Sequence, residues 1–413
     1  MGDCKFLRQK KQVKINGEWV DTRSYRYLPY CVDITPSVIV KGGNPNGKFY
    51  VGFGKKDGAS YGYSKTISLD ASGNGRINLE SDAVINDVTI NDNPSSCIVE
   101  IFGCNISSLC WGNNAEEYKH ADKISISCSR YVRINKLFNS MGFLGKTIKF
   151  NGFDTSKVTD TSEMFDGCTN LTSLDLSGWD VSKVTNMNHM FYGCHSLASL
   201  DLGGWDVSNV TNMGGMFTQC SGLTSLNLSS FVTSSVNSMF GMFTRCFRLT
   251  SLNLSSFVTS SVNSMGSMFW GCSGLTSLDL SDWDVSNVTD MSSMFWECSS
   301  LISLKVPNFD DLLEINMFGM FYGCSSLASL DLSGWRTAHI TSMENMFDGC
   351  TNLTSLNLSG WDISHVRIYG MFAGCSSLTT IYMRNCDGFD VAYVQEELKR
   401  CGIPLDQVTI ITK

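Results

Sequence analysis

From Leu171 onward the apolar positions follow one recurring order. Leu174 and Leu176 alternate with Ser173, Asp175 and Ser177. That period of two predicts a strand of about five residues. An aromatic corner follows at Trp179, and behind it stand Asp180 and Ser182, residue types that cap helices. The period then changes. Val184, Met187, Met190, Phe191 and Cys194 form one stripe at three- and four-residue steps, which predicts a short helix ending near Gly193. The next strand opens at Leu197, Leu200 and Leu202. Each unit therefore reads strand, corner, short helix and return.

The unit recurs. Its closing cysteine stands at Cys168, Cys194, Cys220, Cys246, Cys272, Cys298, Cys324 and Cys350, each 26 after the last, and at Cys375 after 25. A fixed period of this size marks a stacked array with an extended surface. Successive strands run the same way, so they lie parallel with right-handed crossovers. Strands stack at ~4.8 Å, whereas packed helices need roughly 8–10 Å. The mismatch predicts a curved α/β solenoid, with parallel strands on the concave side and short helices outside.

The columns of this array give its core. The corner rings are Phe153, Trp179, Trp205, Phe231, Phe257, Trp283, Phe309, Trp335 and Trp361. They read as packing, because each ring buries ~150–250 Å²; a ring-stacking ligand platform is the alternative. The Met-Phe pairs, from Met164 and Phe165 to Met371 and Phe372, read as core knobs. The cysteines read as buried thiols packing as small hydrophobes, with disulfides and metal ligands as alternatives. On a helix-bearing side the rungs stand too far apart for the ~5.5–6 Å Cα separation a disulfide prefers.

Residues 1–130 lack the period and read as a β-rich, sandwich-like anchoring domain. Candidate strands are Gln12–Ile15, Ser37–Lys41, Lys48–Phe53, Lys65–Leu69, Gly75–Leu79, Val88–Asn91 and Cys97–Phe102, with a linker or small subdomain at Cys110–Tyr118. The solenoid occupies 131–385. Leu137–Phe150 reads as its degenerate N-terminal cap, since Ile148 and Phe150 stand 26 before Leu174 and Leu176. The last repeat strand is Thr379–Arg384. Residues 386–413 form a C-terminal cap: a helix over Val391–Cys401 with Glu396, Glu397, Lys399 and Arg400 on its polar side, stopped by Gly402 and Pro404, then a strand at Val408–Thr412. Ser225–Met239 and Ser251–Met265 are near copies. Lys305, Val306 and Pro307 replace the usual Asp-Leu-Ser and predict an irregular strand edge.

Composition narrows the function. The 413 residues carry a net charge of −8 and are 43% hydrophobic, enough for a large core. The acidity argues against a nucleic-acid partner. Lys5, Arg8, Lys10, Lys11 and Lys14 read as a solvated face. No apolar run reaches the ~18 residues of a membrane span, and Met1–Gln12 lacks the apolar core of a signal peptide. Phe6 breaks the myristoylation pattern after Gly2. These features predict a chain that was trimmed, stays inside a cell, or leaves it by assembly into a virus particle. The 17 cysteines include no C-x-x-C pair, which argues against structural zinc.

Catalytic signatures are missing from the sequence: no G-x-S-x-G elbow, H-E-x-x-H or Walker loop. His339 and His365 share one register but have no third ligand in their column. The chain reads as a non-enzyme without metal or cofactor. Its candidate binding face is the row Asp175, Asp201, Asn227, Asn253, Asp279, Lys305, Asp331 and Asn357 on the exposed side of the strands. Such a row suits hydrogen bonding to a protein or glycan better than acid–base chemistry, which needs carboxylates with separated pKa values. Simple solvation is the alternative.

The phrase L-x-x-L-D-L-S-x-W-D-V-S-x-V-T-N-M-x-x-M-F-x-G-C, carried almost letter for letter by residues 171–194, closely resembles the BspA-like leucine-rich repeats of bacterial surface antigens, also found in mycoplasma-type surface lipoproteins. The resemblance spans about 150–385. It implies a leucine-rich-repeat solenoid and a surface protein that adheres to partner cells or binds their proteins. The expected function is structural and binding. The solenoid recognises protein or glycan on a cell surface, and the N-terminal domain holds other structural proteins, for instance in a bacteriophage virion as a head, tail or fibre component. The alternative is a secreted bacterial adhesin whose presequence has been removed. Neither nucleic acid nor membrane insertion is expected, and a homo-oligomer is compatible with the repeat.

Overall fold

The computed structural model describes residues 66–78, 155–156, 158–307 and 314–413 in full, with Val38 and the backbones of eleven strands between Gln12 and Phe150. Phe153, Phe309 and the segment after Cys110 lie outside the described residues. The repeats form a parallel-strand β-solenoid. Ser199–Asp201 pairs in register with Ser225–Asn227, Ser277–Asp279 with Ser303–Lys305, and Ser329–Asp331 with Ser355–Asn357 and then Thr380–Tyr382. Rung strands are two or three residues long, shorter than the expected five. The alternation runs on, but the chain bends away after the second leucine, where the Trp205 N–H donates back to the Leu202 carbonyl at 3.0 Å.

Thr147–Phe150 pairs with Ser173–Leu174 and sets Ile148 against Leu174, the register its spacing predicts. On its other side it pairs with Lys123–Ser127, which pairs with Ile98–Phe102. The hydrogen-bonded spine thus continues from the rungs into strands of the N-terminal part. Strands over Gln12–Ile15, Ser37–Lys41, Lys48–Lys55, Tyr63–Ser68, Gly75–Asn78, Ala83–Ile90 and Ile98–Phe102 coincide with or overlap the segments expected there. At Lys305 the register into the strand is kept, contrary to an irregular edge. Among the described residues, however, that strand has no partner strand beyond it.

The expected outer helices are absent. Among the described residues the one helix is α1 (Gly388–Arg400) in the cap. The reason lies in where the backbone donors go. The N–H groups of Met190, Tyr192 and Cys194 donate to the carbonyls three residues back, at 3.1–3.2 Å. Those of Met187, His189, Phe191 and Gly193 donate instead to Asn212, Gly214, Met216 and Thr218 of the next rung, at 2.8–2.9 Å. A helix aims every N–H along its own axis, whereas here alternate groups point along the solenoid. To alternate, the backbone adopts positive φ twice per rung, at His189 (54°) and Gly193 (69°) and at equivalent positions throughout. Apolar side chains at three- and four-residue steps therefore come from successive tight turns. Asp180 accordingly caps no helix; its carboxylate receives the N–H of Ser182 at 3.0 Å.

The turn side of each rung is linked to the next by a ladder of bridges from Asp160–Asn186 to Asp290–Asn316, and on the strand side several neighbouring rungs also pair directly. The spacing mismatch that predicted curvature therefore does not arise, and neither does the wide helix-side spacing used against disulfides. The thiols of the column are nonetheless free and buried, and from Cys194 to Cys375 each donates to a carbonyl of the preceding rung, as Cys194 does to Phe165 at 3.3 Å. Burial pushes Cys272 and Cys324 up to about 12. Between the two paired sides lies the core. Met187, Met190, Phe191, Cys194 and Leu197 are fully buried, and the phenylalanines stack at 5.4 Å from Phe165 to Phe191 and 5.5 Å from Phe191 to Phe217. The corner rings form a second stack, with Trp179 and Trp205 at 6.3 Å.

The end of the stack exposes the donors that would serve a further rung. Helix α1 receives them. Gly370 N–H donates to Glu397 Oε1 at 2.6 Å and Ile363 N–H to Asp390 Oδ1 at 2.9 Å. Both carboxylates are buried, so Glu397 does not belong to the polar side assigned from the sequence. Asp387 caps the helix by accepting from Phe389 N–H at 2.6 Å, which starts it three residues before the expected Val391. The closing strand Thr409–Ile411 then pairs with Thr380–Tyr382.

Replacing Glu397 by leucine leaves the Gly370 donor buried without an acceptor and is expected to cost ~1–3 kcal/mol. Urea unfolding measures this, with exposed Glu396→Leu as the control expected to stay within about 0.5 kcal/mol. Native-state alkylation followed by peptide mass spectrometry is expected to leave Cys168 through Cys375 of the repeat column unlabelled until the chain unfolds, because a buried, protonated thiol is a poor nucleophile.

Candidate functional site

The structure brings the expected row together and gives each member a local job. Asp201 and Asn227 face each other across one strand pair, Asp279 and Lys305 across another, Asp331 and Asn357 across a third. All eight side chains are exposed except Asn357, which is half-buried. In seven of the eight, one side-chain oxygen accepts a backbone N–H two residues on. Ser177 donates to Asp175 at 3.1 Å, Gly203 to Asp201 at 3.0 Å and Ser229 to Asn227 at 3.1 Å. Asn253, Asp279, Asp331 and Asn357 repeat the contact. Lys305 has no such acceptor and fills its place by donating to Asp279 at 2.7 Å. The row is thus a column of Asx turns that bend the chain out of each strand. The second oxygen of Asp279 accepts from Lys305, whereas Asn227 Nδ2 donates at 2.7 Å to the same Asp201 Oδ1 that accepts the Gly203 N–H.

The electrostatics follow from these bonds. The Ser177 hydroxyl and N–H hold the Asp175 carboxyl below its ordinary range. The Lys305 ammonium, helped by Ser281, brings Asp279 down to about 2. These carboxylates stay ionised at neutral pH. The row is an array of fixed acceptors at rung spacing, suited to hydroxyl or amide donors. Among the described residues no three His, Cys, Asp or Glu side chains converge as metal ligands. His365 lies 3.5 Å from Asp362, and His339 is exposed on the preceding rung.

Two further arrays escaped the sequence reading. The first runs through Asp160, Asn186, Asn212, Ser238, Ser264, Asp290 and Asn316, on the bridge ladder opposite the strands. Most of these also accept an N–H two residues on, for example from Asn188 to Asn186 at 3.1 Å. The signal was available, since Asx followed two positions later by a small or polar residue is the turn signature in both places. The second array lies on the turns after the Met-Phe pair. Trp270 and Trp296 meet edge to face at 6.3 Å, Trp296 and Tyr322 stack at 3.9 Å, and Phe318 lies 6.2 Å from Trp296. Arg245 sits over the Trp270 ring at 5.5 Å. The position after Met-Phe varies freely along the sequence, which marks it as outward-facing; only the rung register shows that the rings adjoin.

The family described as Mycoplasma protein of unknown function, DUF285, matches three overlapping stretches of the chain, 132–250, 223–329 and 302–398. The chain belongs to this family. The DUF285 match takes in the rungs and most of the cap helix, and the architecture is a repeat solenoid, consistent with a binding or structural role. Among solved structures, a crystal structure of a TLR13–ssRNA13 complex is similar at 17% identity, covering 68% of this chain and 50% of that chain, with a TM-score of 0.28. The match thus spans about half the length of that chain. Comparison with curated proteins returned no match. Among the described residues no helix is long and apolar enough to cross a membrane.

Replacing Lys305 by methionine is expected to raise the Asp279 pKa from about 2 toward the ordinary ~3.9, read by carboxyl NMR titration. The sign follows from linkage. A carboxyl depressed in the folded state adds stability above its unfolded pKa, and that increment disappears as pH falls through the folded value. An unchanged titration in the variant would refute the ion pair as the cause.

Proposed function

We propose that this DUF285 protein is a non-enzymatic binding protein. Its strand-side row recognises protein or glycan on a cell surface, and its N-terminal strands tie the solenoid to a larger assembly. One observation carries the reading: acceptors of one kind recur in register on successive rungs, each fixed by an Asx turn. A preorganised row gives up little side-chain entropy on binding. Spacing of ~4.8 Å between acceptors matches an extended, hydroxyl-rich or amide-rich ligand better than a small molecule. The family's Mycoplasma designation and the likeness of residues 171–194 to surface-antigen repeats support placement at a cell surface. Neither the fold nor the family match supports assembly into a virion.

The test combines a glycan array with flow cytometry of labelled full-length protein on intact cells. Changing Asp175, Asp201, Asp279 and Asp331 together to asparagine keeps each turn acceptor and removes the charge. Binding is expected to weaken at least about tenfold, equivalent to ~1.4 kcal/mol, with an unchanged circular dichroism spectrum and melting temperature. Equal binding by the variant, or no binding to any cell or glycan by the native chain, would sink the proposal.

A further inference from the structure

The turn face shows a charge pattern that the strand row does not. Between Asp206 and Asp279 the ionised side chains are Arg245 and Arg248 alone, in a chain whose net charge is −8. On the far side of the rings the turns carry Glu297, Glu344 and Asp348, and the first described turn, well before Arg245, carries Glu163 and Asp166. The aromatic ladder lies between the two signs. Arg245 is exposed, leans over Trp270, and has no ion pair among the described residues. A Cβ built on Gly271 would meet the Arg245 stem at 3.2 Å, so glycine at that position leaves room for the guanidinium to lie across the next rung. Gly319 does the same for the Trp296 ring, whose nearest atom would stand 2.7 Å from an added Cβ. The Trp270 Nε1 is sealed from solvent without a hydrogen-bond partner. Phe240, in the column of Phe318, is half exposed at 50%.

The stretch from Arg245 through the rings to Glu297, basic on one flank and acidic on the other, complements itself when turned end for end. We infer that this turn face is a homodimer interface, with a second copy of the chain as its occupant. The two-fold axis lies along the rungs, midway between the Trp270 and Trp296 turns. This arrangement sets the solenoids antiparallel and keeps each column facing itself. Trp270 then meets the second copy's Trp296, and Phe240 meets its Phe318. Glu297 faces the second copy's Gly271, across which that copy's Arg245 lies. The contact is isologous, as two-fold symmetry requires, and closing it buries tryptophan and arginine, the residues that dominate interface energetics. Neither the strand row nor the proposed recognition function takes part.

Sedimentation velocity of the full chain over a range of micromolar concentrations tests the inference. The native protein is expected to show a concentration-dependent monomer–dimer equilibrium that weakens as salt rises. Trp296→Ser and Arg245→Glu should each raise the dissociation constant at least about thirtyfold, with melting temperatures near the native value. The paired exchange Arg245→Glu with Glu297→Arg should restore association, because it reverses the charges and keeps their complementarity. A monomer at every concentration overturns the inference. So does a dimer indifferent to both single substitutions, or a paired exchange that stays monomeric.

Discussion

The alternation of backbone donors within each turn governs the rest of this molecule. Every second N–H closes a tight turn inside its own rung, and the others reach the carbonyls of the following rung. Each rung is satisfied only in the company of its neighbours, which is why the stack is continuous and why its last member needs a substitute. Asp390 and Glu397 supply that substitute, and their burial is tolerated because each receives a backbone N–H that would otherwise be orphaned.

The same alternation fixes which side chains can stand where. Four-residue intervals of positive φ favour glycine, and where a ring or guanidinium leans over the next rung, as at Gly319 and Gly271, glycine also leaves the space. Inward positions stack on their own kind. Phenylalanines meet face to face, and thiols donate to the carbonyl one rung back. A column of identical residues is then the simplest way to fill a core of constant cross-section.

Outward positions are free of that demand, and there the rungs differ. On the strand side the row of Asp and Asn keeps its turn-forming oxygen while its charge varies. On the turn side the chain places rings and arginines together in the middle of the stack and carboxylates farther on. Two faces of one solenoid thus have different chemistry, one polar and periodic, the other aromatic and polarised by charge.

Much of this was legible in the residues. The spacing of Cys168 through Cys375 determined a stack of parallel rungs, Leu174 and Leu176 located the strand, the Met-Phe pairs marked the core, and Ile148 announced the register of the degenerate first unit. The row from Asp175 to Asn357 was legible as a row because equal spacing in a stacked repeat means adjacency in space. Tertiary structure decided the rest. The stripe from Val184 to Cys194 has helical spacing, yet its donors bond to another rung, and side-chain periodicity alone does not say where an N–H points. Glu397 looked solvent-facing beside Lys399, but the preceding rung ends under it. The meeting of Arg245 with Trp270, and of Trp296 with Tyr322, involves side chains leaning across rungs beside Gly271 and Gly319, and one-dimensional spacing carries no record of that direction.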